Sequence, residues 1–141
     1  MPLDPAGVLT GIEDGDVGDG MASGTRIGHV HLQVADIPGA ESFYVDALGF
    51  EPVVRAYPGA LFLSAGGYHH HLGLNTWAGV GAPSPPEGAR GLRSFSVVLR
   101  DAEALAAVRS SLVAAEHEGL EGFGGSASHA DPSGNRLVLK A

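Results

Sequence analysis

The chain predicts an α+β fold, and three features of the sequence carry that expectation. "RIGHVHLQVAD" (Arg26 to Asp36) alternates apolar and polar residues, with Val30, Leu32 and Val34 on one face and His29, His31 and Gln33 on the other. The segment after it, "IPGAESFYVDALGF", spaces Ala40, Phe43, Tyr44, Ala47 and Leu48 as one helical face, with Pro38 in the first turn and Gly49 just past the end. A strand–Asp–helix unit then recurs about 65 residues later, Asp36 being matched by Asp101. Two copies make a pair of modules and not a solenoid.

The remaining elements follow from the same patterns. "EPVVRAY" and "ALFLSAGG" read as strands separated by a turn at Pro58-Gly59, and "YHHHLGLNTW" (Tyr68 to Trp77) reads as a fourth strand. The order of the first half is therefore β-α-β-β-β. "AGVGAPSPPEGARG" has no core-forming pattern and is a connector. Beyond it, "LRSFSVVLRD" places Phe95, Val97 and Leu99 opposite Ser94, Ser96 and Val98. Asp101 opens a helix carrying Leu105, Val108 and Leu112, and two short strands flank the "DPSGN" turn (Asp131 to Asn135). The expected divisions are a flexible acidic tail at 1–24, a first module at 25–77, a linker at 78–91 and a second module at 92–140.

Composition narrows the function. The 141 residues are 44% hydrophobic and 17% charged, which suits a globular domain. A net charge of -8 argues against nucleic acid, whose phosphates call for a basic surface. Five of the 16 acidic residues (Asp4, Glu13, Asp14, Asp16 and Asp19) precede Arg26, so the body is only mildly acidic. The spacing of "EDGDVGD" does not fit a twelve-residue calcium loop, and a solvated tail is the better reading. There is no membrane-length apolar run and no signal-peptide pattern, so a cytoplasmic protein without membrane contact is expected. The absence of cysteine removes disulfides, thiolate metal sites and cysteine nucleophiles. Serine-elbow, phosphate-loop and HExxH patterns are also absent, and "GLEGFGG" matches no dinucleotide fingerprint.

Each helix must cover the apolar face of its own module's sheet, because nothing else in the chain can bury it. By alternation, His70 shares that face with Leu72 and Leu74, while His69, His71, Asn75 and Trp77 take the opposite face with His29, His31 and Gln33. Two facing modules would wrap such surfaces into a cleft, where small-molecule sites form. These polar side chains could equally hydrogen-bond among themselves or to an organic ligand. His70 reads as a structural histidine and His117 as a solvated one. The facing of His129 is open. Tyr68 reads as core, and Trp77 could stack on a ligand or complete the core.

"GHVHLQVAD", "FYVDALGF", "GGYHHHLGLNTWAG" and "DPSGNRLVL" together resemble the vicinal oxygen chelate superfamily, the glyoxalase, bleomycin-resistance and extradiol-dioxygenase group. The resemblance covers residues 25–140, and "GGYHHHLGLNTWAG" is most similar to the C-terminal half of two-part catechol 2,3-dioxygenase-like proteins. It implies two βαβββ modules forming a curved mixed sheet, with helices on the outer face and a cleft inside. It also implies that the chain corresponds to half of a larger architecture, and that it forms a homodimer.

The resemblance further implies a divalent metal (Fe, Mn, Zn or Ni) with His29 and His71 as ligands and His69 as rival to His71. His31 and His69 would be acid–base groups, and Gln33, Asn75 and Trp77 would contact a small oxygenated, catechol-like substrate. Ring-cleaving relatives use two histidines and one carboxylate. The second module departs from that pattern, with Ser94 where relatives often carry histidine and Val138 where the glutamate normally sits; Glu51 and Asp131 are not at matching positions. Two other readings therefore stand beside the enzyme. One is a metal-free binding protein of the bleomycin-resistance type, and the other is a half-site completed by a partner chain.

Overall fold

The computed structural model describes residues 23–86, 88–117, 119 and 128–141. The acidic stretch Glu13 to Asp19 and nearly all of the glycine-rich stretch after Gly119 lie outside the described residues.

The first strand, β1 (Val30–Gln33), buries Leu32 and exposes His31 and Gln33, as alternation requires. It gives way to a helix at Asp36, whose extended backbone and side chain cap the Gly39 N–H at 2.7 Å. Helix α1 (Ile37–Glu41) runs directly into a π-helical turn, Ser42–Ala47. There the Leu48 N–H donates to the Phe43 carbonyl, five residues back, at 3.1 Å. The widened turn seats two consecutive aromatic residues, Phe43 and Tyr44, in the core with no solvent exposure. Gly49, at φ +84, reverses the chain into β2 (Glu51–Val54). Strands β3 (Ala60–Ser64) and β4 (Leu72–Asn75) complete a four-stranded sheet of order β1-β4-β3-β2, in which β1 and β4 are parallel and the other pairs antiparallel.

The second module repeats this plan. Strand β5 (Phe95–Val98) leads to Asp101, which caps α2 (Ala102–Ala114) by accepting from the Ala104 N–H at 2.8 Å. Leu112 is fully buried, and Leu105 and Val108 pack beside it. The helix closes with Glu116 in the left-handed region at φ 59, the His117 N–H reaching the Leu112 carbonyl at 2.9 Å. His117, expected to be solvated, is half-buried instead, edge-on to Phe43 at 4.8 Å, because that closure folds the chain back over the first module. Strands β6 (Ser128–Ala130) and β7 (Arg136–Lys140) give a second sheet of order β5-β7-β6. Its parallel first–last pair with an antiparallel neighbour reproduces β1-β4-β3. The class is mixed α+β as expected, with the strands divided between two small mixed sheets.

One core serves both modules. Leu112, Leu137 and Leu139 belong to the same buried cluster as Phe43, Tyr44, Leu61 and Leu74. The DPSGN turn locks the seam. Buried Asp131 accepts from the Tyr44 hydroxyl at 3.0 Å, from the Ser133 and Asn135 backbone N–H groups, and from Asn135 Nδ2. Asn135 Nδ2 also donates to the Gln33 carbonyl at 2.9 Å, and Ser133 Oγ accepts from the Ala35 N–H at 2.8 Å. The connector joins this seam through Gly81 N–H to the Ala35 carbonyl and Ser84 Oγ to the Ser133 carbonyl.

Candidate metal centre and adjoining cavity

Strand β4 begins at Leu72 and not at Tyr68, and this moves the histidines. Alternation holds only within a hydrogen-bonded ladder. The hairpin before β4 turns through Gly66 and Gly67, and the chain after it bends at His69 and His71 before the strand begins, so the parity counted back from Leu72 is lost. His70, expected among the leucines, lies on the uncovered face instead. Its ring centroid is 4.6 Å from that of His29, 5.6 Å from His31 and 5.0 Å from Phe62. His29, His31 and His70 each offer a ring nitrogen, and these nitrogens all lie within 4.8 Å of one another.

The backbone makes room for this convergence. His31 pairs across the ladder with Gly73, and a Cβ on Gly73 would stand 3.0 Å from three atoms of the His31 ring. Gly73 also pairs with Phe62 on β3, so the imidazole lies over a residue without a side chain and edge-on to Phe62 at 5.9 Å. A glycine inside a strand weakens it unless something must approach closely, and here that something is the His31 ring.

The other expected site residues are elsewhere. His71 turns away from the three, its Nδ1 accepting from the Ala65 N–H at 3.2 Å and its ring 4.7 Å from Tyr68. That contact leaves Nε2 as the protonated, donating nitrogen of the neutral ring. His69 is exposed, 4.2 Å from Tyr68 and 5.8 Å from His29. Asn75 is occupied with the backbone, donating to the Leu32 carbonyl at 3.3 Å and accepting from the Trp77 N–H at 3.4 Å. Trp77 is 59% exposed, donates Nε1 to the Pro58 carbonyl and lies 6.1 Å from Tyr57. Gln33 is exposed on β1 and borders a recess of about 60 Å³ at the module seam. His129 is buried in β6, outside the cluster, and Asp131 is committed to the seam.

Electrostatics separate the cluster from the seam. Desolvation holds the His70 pKa below its ordinary 6.5, and the neighbouring His29, His69, His31 and His71 push it in the same direction. His70 is therefore a neutral imidazole at physiological pH, and its buried Nε2 has no hydrogen-bond partner. Tyr44 is displaced the other way, far above the usual phenol range, by burial first and then by the Asp131 charge and hydrogen bond. A buried nitrogen without a partner, facing two more imidazoles, fits a divalent cation, for which neutral histidine is a common ligand. No carboxylate joins this cluster among the described residues.

A cavity of about 610 Å³ opens beside the cluster, within the range of small-molecule pockets. It borders Ile27 to Val30 of the first module and Ser94 to Leu99 of the second, and Leu48 to Phe50 form a third wall. His29 is the one residue shared by the cavity and the three-histidine cluster, and His71 and Ser94 add polar groups to the lining. A cleft between the modules bearing His29 and His71 is expected from the sequence, but its apolar wall along β5 is not, since that depends on how β5 lies against the segment entering β1. Gly73 within a strand was the readable sign of the cluster.

Residues 26–139 match the Glyoxalase/Bleomycin resistance protein/Dioxygenase superfamily, and the chain belongs to that family. Among curated proteins it is similar to a catechol-2,3-dioxygenase of Bacillus subtilis (strain 168), at 55% identity over 83 residues. That match takes in 57% of this chain and 29% of the relative, so the chain spans well under half of the relative's length. Among solved structures, a glyoxalase family protein from Enterococcus faecalis superposes with a TM-score of 0.61 at 25% identity, covering 82% of this chain and 97% of that one. A lactoylglutathione lyase from Agrobacterium tumefaciens gives 0.57 at 25% identity, covering 82% and 92%.

Proposed function

We propose that the protein is a glyoxalase/dioxygenase-like enzyme that binds a small oxygenated molecule beside a divalent metal held by His29, His31 and His70. The observation that carries this reading is the convergence of three imidazoles with the Nε2 of His70 buried and without a partner. When bound, the cation supplies Lewis-acid polarisation of ligand oxygens. The chain's own residues do the rest. His31 is fixed over Gly73, which orients its ring toward the other two. His69, exposed near His29, is placed to exchange protons with solvent. His71 presents a donating Nε2 at the cavity wall, suited to a ligand oxygen.

Kinship to a catechol-2,3-dioxygenase supports a catechol-like substrate. The ligand set argues differently, because oxygen-activating iron sites of the two-histidine type include a carboxylate and three neutral histidines resemble Lewis-acid zinc sites. That no carboxylate joins the cluster among the described residues also favours a second reading, a metal-free small-molecule binder of the bleomycin-resistance type.

Untagged protein titrated with Zn(II), Mn(II), Ni(II) and Fe(II) by calorimetry tests the proposal. His29→Ala, His31→Ala and His70→Ala should each weaken binding more than about tenfold, a larger effect than loss of a supporting hydrogen bond to a ligand. His71→Ala should change it little. No stoichiometric binding of any of these ions, or a loss confined to His29 and His71, would sink the three-histidine centre.

A further inference from the structure

We infer that the cavity between the two modules is a slot for an uncharged amphiphile, a molecule with a slender apolar body and one oxygen-bearing head. The inference deepens the small-molecule part of the proposed function and does not depend on the metal.

The walls define the ligand. Four consecutive residues of the first module, Ile27 to Val30, and six of the second, Ser94 to Leu99, border the cavity. Consecutive residues of a strand point to opposite faces, so a cavity that touches every residue of β5 runs along that strand's edge and not over one face, while Ile27 to His29 border it from the segment that leads into β1. Strands β1 and β5 are the edge strands of their sheets, on the sides away from β4 and β7. The space is thus a slot between the edge of β5 and the segment entering β1, closed on a third side by Leu48 and Phe50. A long, narrow ligand fits such a shape better than a compact polar one.

Charge selects further. Among the described residues, those bordering the slot include no Asp, Glu, Lys or Arg. In the metal-free protein an anionic ligand would lose its hydration there and meet no Lys or Arg among the described residues, which is costly. Polar capacity is confined to a few groups, chiefly His29 and His71 from the first module and Ser94 and Ser96 from the second. His71, with Nδ1 engaged by the Ala65 N–H, offers a hydrogen-bond donor and so calls for an oxygen acceptor. The head group therefore lies near His29 and His71, and the apolar body extends along β5 past Phe95 and Val97.

The test uses the full chain stripped of metal with a chelator, and 4-alkylphenols from methyl to butyl as probes, followed by calorimetry at pH 7.5. Affinity should rise about fourfold with each added methylene. 4-Hydroxybenzoate, which keeps the ring but is anionic at this pH, should bind at least tenfold more weakly than 4-methylphenol. Val98 borders the slot and is 72% exposed, so Val98→Glu can place a carboxylate on the wall with little risk to folding. It should abolish the dependence on chain length while the melting temperature holds. His71→Ala should weaken every phenol by a similar factor of about three to ten, the worth of one hydrogen bond. Affinity indifferent to chain length, equal binding of the benzoate, or an unchanged series in Val98→Glu would each overturn the inference. A metal-free protein that shows the series but never binds a cation would retain the slot and reject the metal centre.

Discussion

The hairpins that lead into β4 and β7 occupy equivalent places in the two modules, each delivering a strand that lies parallel to its module's first strand. They use their polar groups in opposite ways. In the second, Asp131, Ser133 and Asn135 satisfy one another and reach across to Tyr44, Ala35 and Gln33. In the first, His69 and His70 stack on other rings, and a buried nitrogen of His70 has no partner. Self-satisfied polar networks stabilise a fold, whereas unspent hydrogen-bonding capacity marks a place for something else to bind. The ladders repeat the contrast. His31 faces Gly73 across the first sheet, and the equivalent pair in the second is Ser96 with Val138.

The largest effect expected from this contrast is at the seam. Asp131→Ala would strand the buried Tyr44 hydroxyl and two turn N–H groups and should cost about 2–4 kcal/mol, since leaving a buried donor without its acceptor costs about 1–3 kcal/mol. Denaturant unfolding measures it, with His70→Ala as the control that should lie within about 1 kcal/mol of the parent. Comparable losses for the two variants would erase the distinction between the hairpins.

A smaller change should reach the first hairpin without touching stability. Gly73→Ala adds a methyl against the His31 ring, at a strand position where alanine is itself favoured over glycine by about 0.5–1 kcal/mol. Cation affinity should fall about tenfold while the melting temperature stays level or rises slightly. Retained affinity would mean that the ring does not need the space.

The smallest effect is a pH dependence. His70 binds its proton more weakly in the folded chain than at its ordinary pKa of 6.5, so the unfolded state takes up protons first as the solution is acidified. Stability of the metal-free protein is therefore intact above about pH 6.5 and declines as the pH falls through the depressed His70 value. Thermal melts between pH 8 and pH 5 should show this slope, reduced in His70→Phe. An identical slope in that variant would assign the decline to other groups.

Much of the scaffold was legible before any coordinates. Both aspartate caps, the core faces of β1 and β7, and the turn at Pro58-Gly59 follow from local rules that the structure obeys. The site was legible only in part. Period-two counting reached His31 correctly, because it lies inside β1, and failed at His70 because the ladder had not yet begun. Asp131 read as a spare acid, since its partner Tyr44 is 87 positions away and no local pattern joins them. A cleft between the modules follows from their pairing, but its apolar wall has no local signature, because β5 and the segment entering β1 are about 65 positions apart.

The π-helical turn at Ser42–Ala47 has a consequence for the molecule as a whole. By seating Phe43 and Tyr44 side by side, it lets one segment touch His117 with the first ring and Asp131 with the second. Neither half can then come loose without tearing a neighbour it did not inherit from its own repeat. The two halves thus share one core and one polar seam, and whatever occupies the gap between them rests against elements anchored to each other through that single segment.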